Sequence, residues 1–391
     1  MNNIIIKKDA EKIVSASIEA MLQSKEEDIY PIAVISCRPN NKALPFFEKY
    51  GLGHKVYVFV NEDLVSTFKK NYPTVNVIAR EKYKKPTDFK GIEYCPGGAR
   101  ILSFRGMITM GFKRFISCDD DLVALTPLAP IIATDNSYNK EGYKCKRITA
   151  SYFEKFKMAQ PFAALSLGCR TADLIFDKDP ECVMGTPRYS GRYNVHDAML
   201  AKAPGSLFVN SDFFYVDSER IGKILSAIDM SNPLDIELLK IYEDHLYMML
   251  EYSQGKRHFV IQNIYKEKST ADKTANLGRT DQTLTALYPK MKADPRFTSL
   301  FKGEMIKIQQ AKGKTLNKDW TYFTVRNSNT FYEKVLGKKV HTYDLTDFYL
   351  QYANGRQHDL TAALSTDTIK VTVAQESEKG DKLKQGNLFG G

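Results

Sequence analysis

Four short apolar runs, separated by helical stretches, restrict what the first third of this chain can fold into more than any other feature. YPIAVISCRPN (30–40), KVYVFVNE (55–62), TVNVIARE (74–81) and KRFISCDDDL (113–122) are rich in Val, Ile and Phe and read as buried strands. Between them, NKALPFFEKYGL reads as a short helix closing at Gly51, EDLVSTFKKNYP as a second helix, and GGARILSFRGMITMGF as a third opened by Gly97 and Gly98. An amphipathic helix is expected before them, around residues 9–23. Strands and helices alternating at this spacing predict right-handed βαβ units, hence an α/β fold with a Rossmann-like, mostly parallel sheet covered by helices on both faces.

The second half is less regular. FEKFKMAQPFAALSLG (153–168) reads as helical or mixed, and RTADLIFDKDP (170–180), SLFVNSDFFYVD (206–217) and KRHFVIQNIYKE (256–267) read as strands. ERIGKILSAIDM (219–230) and DIELLKIYEDHLYMMLEYSQG (235–255) read as helices. A core over 1–280, divided into halves at 30–125 and 126–280, is expected, followed by a helical or mixed extension over 281–373. Residues 374–391 are polar, charged and glycine-containing, which predicts a flexible tail.

Lysine and arginine outnumber aspartate and glutamate by 56 to 46, for a formal charge of +10, a balance that favours polyanionic partners such as nucleic acid or nucleotide phosphates. The six cysteines form no CxxC pair and lie mostly in apolar runs, as reduced core thiols do, so neither a zinc site nor a disulfide framework is expected. The N-terminal MNNIIIKKDAEKI has too short an apolar run for a signal peptide, and no run of about 20 apolar residues follows. A cytoplasmic protein with no membrane span is expected.

The chemistry concentrates in two acidic motifs. Asp119, Asp120 and Asp121 close the fourth strand, where like charges at the end of an apolar run need a cation or a cluster of donors. In an open α/β sheet the ligand binds beyond the carboxyl ends of the strands, where Arg38, Asn40 and these aspartates would lie. Asp119 and Asp121 share a direction on an extended chain, and an Asp-x-Asp pair there suits Mg2+ or Mn2+ carrying a diphosphate. Glu243 and Asp244 stand on an otherwise apolar helix, a placement that suits a carboxylate held over a cavity.

The order AVISCRPN, CDDDL, then an ED helix roughly 120 residues on resembles the nucleotide-sugar glycosyltransferases of the GT-A fold, over about residues 30–280. Within that fold, SCRPN, PGGARILSFRGM and DDDL look most like the group that includes the base J glucosyltransferase and bacteriophage enzymes that glycosylate hydroxymethylated bases in DNA. The resemblance implies that residues 30–125 bind the nucleotide sugar and that 126–280 form the acceptor half. Asp119 and Asp121 would hold the metal, with His258, or failing it His196, as a third ligand. Arg38, Asn40, Arg100 and Asp120 would contact a UDP-sugar. Asp244, or failing it Glu243, would be the base that deprotonates the acceptor, with inversion at the sugar.

Two loops and the tail add further candidates. PRYSGRYNVHD (187–197) interleaves Arg188 and Arg192 with Tyr189 and Tyr193, with His196 beyond them, a mixture that can hold phosphates and stack on an unpaired base of DNA. KEKSTADKTANLGRT (266–280) is basic and reads as a lid that could bring Lys266, Lys268, Lys273 and Arg279 to a diphosphate. Gln385, Leu388 and Phe389 have the Q-x-x-L-F spacing of peptides that dock into a bacterial sliding clamp. The expected activity is transfer of a sugar, most simply glucose, from a UDP-sugar to a 5-hydroxymethylated pyrimidine in DNA, in a host cytoplasm if the gene is a phage's. A protein, glycan or small-molecule acceptor, or a non-catalytic nucleic-acid-binding protein, are the alternatives.

Overall fold

The computed structural model describes residues 7–36, 41–132, 143–189, 200–203, 212–268, 281–302, 306–311, 320–325, 337, 341–356, 358–359 and 362. The expected alternation is present. After α1 (Lys7–Leu22) come β1 (Ile32–Ile35), α2 (Ala43–Lys49), β2 (Val56–Val60), α3 (Val65–Asn71), β3 (Asn76–Ala79), α4 (Pro96–Thr109) and β4 (Arg114–Asp119). β1 pairs in parallel with β2 on one side and with β4 on the other, and β2 pairs in parallel with β3. The spatial order is therefore β3-β2-β1-β4, and the chain reverses its direction of growth across the sheet between β1 and β4. Such a switch point leaves a crevice at the carboxyl ends of the two strands.

Alternate side chains of these strands feed two cores. Ile32, Val34, Ile116 and Cys118 pack with Phe47 of α2 and Phe68 of α3, while Ala33 and Phe115 pack with Ile101, Phe104 and Met107 of α4. Helices thus cover both faces.

The rest of the sheet is mixed. β5 (Leu122–Ile132) and β6 (Tyr143–Arg147) precede α5 (Ala150–Glu154), α6 (Gln160–Lys178), β7 (Cys182–Tyr189), β8 (Leu200–Ala203) and β9 (Phe213–Asp217). Next come α7 (Ser218–Ser226), α8 (Pro233–Ile241), α9 (Glu243–Ser253) and β10 (Arg257–Lys268). β9 runs antiparallel to both β4 and β7, whereas β10 runs parallel to β7. β4, β7 and β10 therefore end at the same edge, and β9 begins there. Beyond β10, α10 (Asp281–Ala293) and α11 (Thr298–Lys302) join the core under α9, and β11 (Ile306–Ala311) pairs with β12 (Trp320–Val325) as a separate hairpin. β13 (His341–Asp344), from the expected extension, pairs with β8 in the main sheet, and α12 (Thr346–Leu350) buries Tyr349 in the core beside α1.

Two expectations need correction. RTADLIFDKDP is no strand, because its first nine residues complete α6. Thr171, Ala172, Ile175 and Phe176 are buried at the i, i+1, i+4, i+5 spacing of a helix face, continuous with Ala163, Ala164 and Leu167 before them. The single helix expected over 235–255 breaks at Tyr242 into α8 and α9, which leaves Glu243 and Asp244 in the first turn of α9, where the helix dipole favours acids. Among the described residues no helix is long and apolar enough to cross a membrane. The candidate tail, 374–391, lies outside the described residues.

At the edge opposite the switch point, one carboxylate ties the mixed half together. Asp179 accepts from Arg257 Nε at 2.7 Å, from Tyr343 OH at 2.6 Å and from the Glu181 N–H at 3.0 Å, so the end of α6 meets β10 and β13. Burial alone would raise its pKa, but these donors hold it at about 2. Its stabilisation is therefore complete above the ordinary aspartate value and is lost as pH falls through about 2. Asp179→Asn should cost about 3 kcal/mol at neutral pH, with a smaller penalty near pH 3. Urea unfolding at the two pH values checks this, and a penalty that does not shrink on acidification contradicts it.

Candidate active site

The carboxyl ends of β1 and β4 are organised by the three consecutive aspartates. Asp119 is the last residue of β4, and Asp120 and Asp121 form the turn into β5. Asp120 turns toward β1: Oδ2 accepts from Ser36 Oγ at 2.9 Å, and its carbonyl accepts from the N–H groups of Lys42 and Ala43 at 2.8 and 3.2 Å. It thereby ties the end of β1 and the start of α2 to the end of β4, across the switch point.

Asp119 faces the other way, toward α4. Arg100 Nη2 donates to Asp119 Oδ1 at 2.6 Å, Arg100 Nη1 donates to Ser117 Oγ at 3.1 Å, and Glu243 Oε1 lies 3.8 Å from Nη2. Arg100 is only 3% exposed and lies over the Phe214 ring. Desolvation works against its charge, yet Asp119 and Glu243 raise its pKa above the ordinary arginine value. The sequence makes this geometry possible at Gly97, where a Cβ would meet Leu239 O at 2.5 Å and Glu243 Cβ at 2.7 Å. Without a side chain there, α4 comes close enough to α8 and α9 for Arg100 to reach Glu243.

A fourth aspartate arrives just before β9. Because β9 is antiparallel to β4, the residue preceding it lies beside the end of β4, and the Asp119 N–H donates to the Asp212 carbonyl at 2.9 Å. The Asp212 carboxylate is 2% exposed and accepts from Lys266 Nζ, which also donates to Thr186 Oγ1 at 2.8 Å. Burial, and then Asp119 and Asp121 at the end of β4 with Asp212 beside it, push the Cys118 thiol well above its usual value, so Cys118 is a protonated core thiol. Two fixed cations, Arg100 and Lys266, are thus built into this acidic edge, each bonded to one aspartate.

Asp119, Asp120, Asp121, Arg100, Glu243 and Lys266 come together at this edge. Two of them stand differently from expectation. Lys266 belongs to no lid: it is 1% exposed on β10 and bonded within the sheet. Arg100 is engaged by the protein's own carboxylates. Asp244, beside Glu243, has His245 Nδ1 2.7 Å from its Oδ1, and both residues are largely buried. His258 is not brought to the aspartates. It lies at the start of β10, eight residues before Lys266, or up to about 25 Å along a strand, and pairs with the buried Glu251 at 3.3 Å. The backbone of Arg188 and Tyr189 ends β7 in register with Tyr265 and Lys266, at the acidic edge. Arg38, Asn40, Arg192, Tyr193, His196, Lys273, Arg279 and the tail residues Gln385, Leu388 and Phe389 lie outside the described residues.

Sequence reasoning missed Asp212, Thr186 and His245. Asp212 stands in a segment read simply as a strand, and only the antiparallel order of β9 and β4 carries it to the site. For a metal, the donor set has the right chemistry: Asp119 and Asp121 offer hard carboxylate oxygens at a strand end. Among the described residues no three His, Cys, Asp or Glu side chains gather closely enough to hold an ion alone. A Mg2+-like ion held by one or two carboxylates, substrate phosphates and water needs no third protein ligand.

No protein-family model matches the sequence, and no curated protein matches it. Among solved structures, glucosyl-3-phosphoglycerate synthase from Mycobacterium tuberculosis, in complex with Mn2+, UDP and phosphoglyceric acid, is 9% identical over 80% of this chain and 91% of that one, with a TM-score of 0.36. The same synthase with UDP-glucose is 10% identical over 79% and 89%, with a TM-score of 0.33. Mannose-1-phosphate geranyltransferase from Thermus thermophilus is 9% identical over 60% of this chain and 73% of that one, with a TM-score of 0.28. Superpositions this loose transfer neither site nor activity, and the functional reading rests on the chain's own residues.

Proposed function

We propose that this chain is a metal-dependent glycosyltransferase of GT-A type that moves a sugar, most simply glucose, from a UDP-sugar to a 5-hydroxymethylated pyrimidine in DNA. The observation that carries the reading is the cluster of Asp119, Asp121 and Asp212 with two built-in cations, at the carboxyl ends of the strands that flank a topological switch point. When bound, the divalent metal supplies neutralisation of the departing nucleoside diphosphate. Asp121, with Asp119, would hold it. Arg100 fixes the rotamer of Asp119, and Asp120 ties Ser36 to Lys42 and Ala43 across the switch point.

Asp244 is the candidate base. As the acceptor hydroxyl attacks the anomeric carbon, its proton passes to the Asp244 carboxylate, which His245 orients from 2.7 Å. Glu243, beside Arg100, serves the electrostatics of the cluster instead. The DNA acceptor is favoured by the formal charge of +10 and by Arg188 and Tyr189, whose backbone shares the edge of the site.

Incubation with a panel of UDP-sugars, Mn2+ and DNA containing 5-hydroxymethylcytosine or 5-hydroxymethyluracil, followed by nucleoside mass spectrometry, should show a hexose on the modified base. Turnover on a glycan or small molecule but not DNA overturns the acceptor, and no turnover of any nucleotide sugar overturns the transferase. Asp121→Asn should lower metal-dependent turnover by at least about a hundredfold without loss of fold. Asp244→Asn should lower kcat by about a hundredfold while the Kd for UDP stays within about twofold. Normal kcat in the second variant moves the base elsewhere.

A further inference from the structure

β10 loses its partners at one place. On one side it pairs with β7 through Ile261, opposite Pro187, and resumes at Tyr265, opposite Arg188, so three residues of β10 bulge where β7 has none. On its other side β8 pairs with Val260 and Ile261, and β5 takes over from Ile264. Gln262 and Asn263 are left out of both ladders. Bulges recur beside active sites, where they re-aim a side chain.

Asn263 stands in that gap. It is 1% exposed, and among the described residues neither its amide nitrogen nor its amide oxygen has a hydrogen-bond partner. A buried amide with both ends unpaired is costly to the free protein, a cost that an aliphatic side chain would not carry. The gap also borders the acidic cluster. Lys266 Nζ bonds Thr186 Oγ1, and Thr186 is in register with Val260, so this bond spans the bulged interval from one end to the other. The same lysine holds Asp212.

We propose that Asn263 reads a hydroxyl group of the transferred sugar, its oxygen accepting from the hydroxyl or its nitrogen donating to it, and so sets which UDP-sugar the site accepts. This rests on the reading of the cluster as a UDP-sugar site. A polar group that is unpaired in the free protein and paired in the complex discriminates strongly against a ligand lacking its partner.

Calorimetry of UDP, UDP-glucose and a set of UDP-deoxyglucoses, each lacking one hydroxyl, against wild type and Asn263→Leu tests this. In the wild type, loss of one particular hydroxyl should weaken binding about tenfold relative to UDP-glucose. In Asn263→Leu that difference should vanish and UDP affinity should stay within about twofold. If leucine is not accommodated, Asn263→Ala is read for the same loss of difference. The inference is overturned if every deoxy analogue binds wild type like UDP-glucose, or if the hydroxyl preference survives in the variant. UDP that fails to bind wild type overturns the reading of the site itself.

Discussion

One buried guanidinium holds the acidic edge of this protein in register. Arg100 reaches from α4 to Asp119 at the end of β4 and to Glu243 at the start of α9, joining three elements that have no reason to meet in sequence. A charge this deeply buried is tolerable only because it is paired, and removing the carboxylates would strand the guanidinium without water. Gly97 is what allows the approach, since a methyl group there would collide with the backbone of Leu239. The catalytic reading depends on this interaction, because the direction in which Asp119 presents its carboxylate follows from it.

The second fixed cation solves the same problem on the mixed side of the sheet. Lys266, at the end of β10, answers Asp212, whose main chain in turn receives the N–H of Asp119. With Arg100 and Lys266 in place, the strand end can fold before any ion arrives. On the proposed function, a divalent metal would add to an arrangement already partly neutralised, with Asp121 and Asp119 as the residues that would hold it.

The parallel half of the fold was legible because each of its strands is a continuous apolar run between helix signals, from the run around Val34 to the run around Ile116. Asp119 and Asp121 were legible as a charge anomaly at a strand end. Asp212 was not, since an acid before FFYVD looks like any strand entry, and its role arises from sheet order alone. Lys266 misled because it opens a basic stretch, while its partners are Thr186 of β7 and Asp212 just before β9. His258 misled for the opposite reason: lying after the acidic helix in sequence says nothing about which edge of the sheet the start of β10 occupies. The second half of α6 read as a strand because three consecutive apolar residues, Leu174 to Phe176, carry no period of their own.

Titration of Mn2+ into the protein with and without UDP, followed by the electron paramagnetic resonance signal of the free ion, reads metal binding at the acidic edge. The free-ion signal should fall stoichiometrically when protein and UDP are both present, fall far less with protein alone, and be restored by excess Mg2+. A free-ion signal that protein and UDP together leave unchanged would contradict it, and Arg100 and Lys266 would then be the only cations that the acidic edge requires.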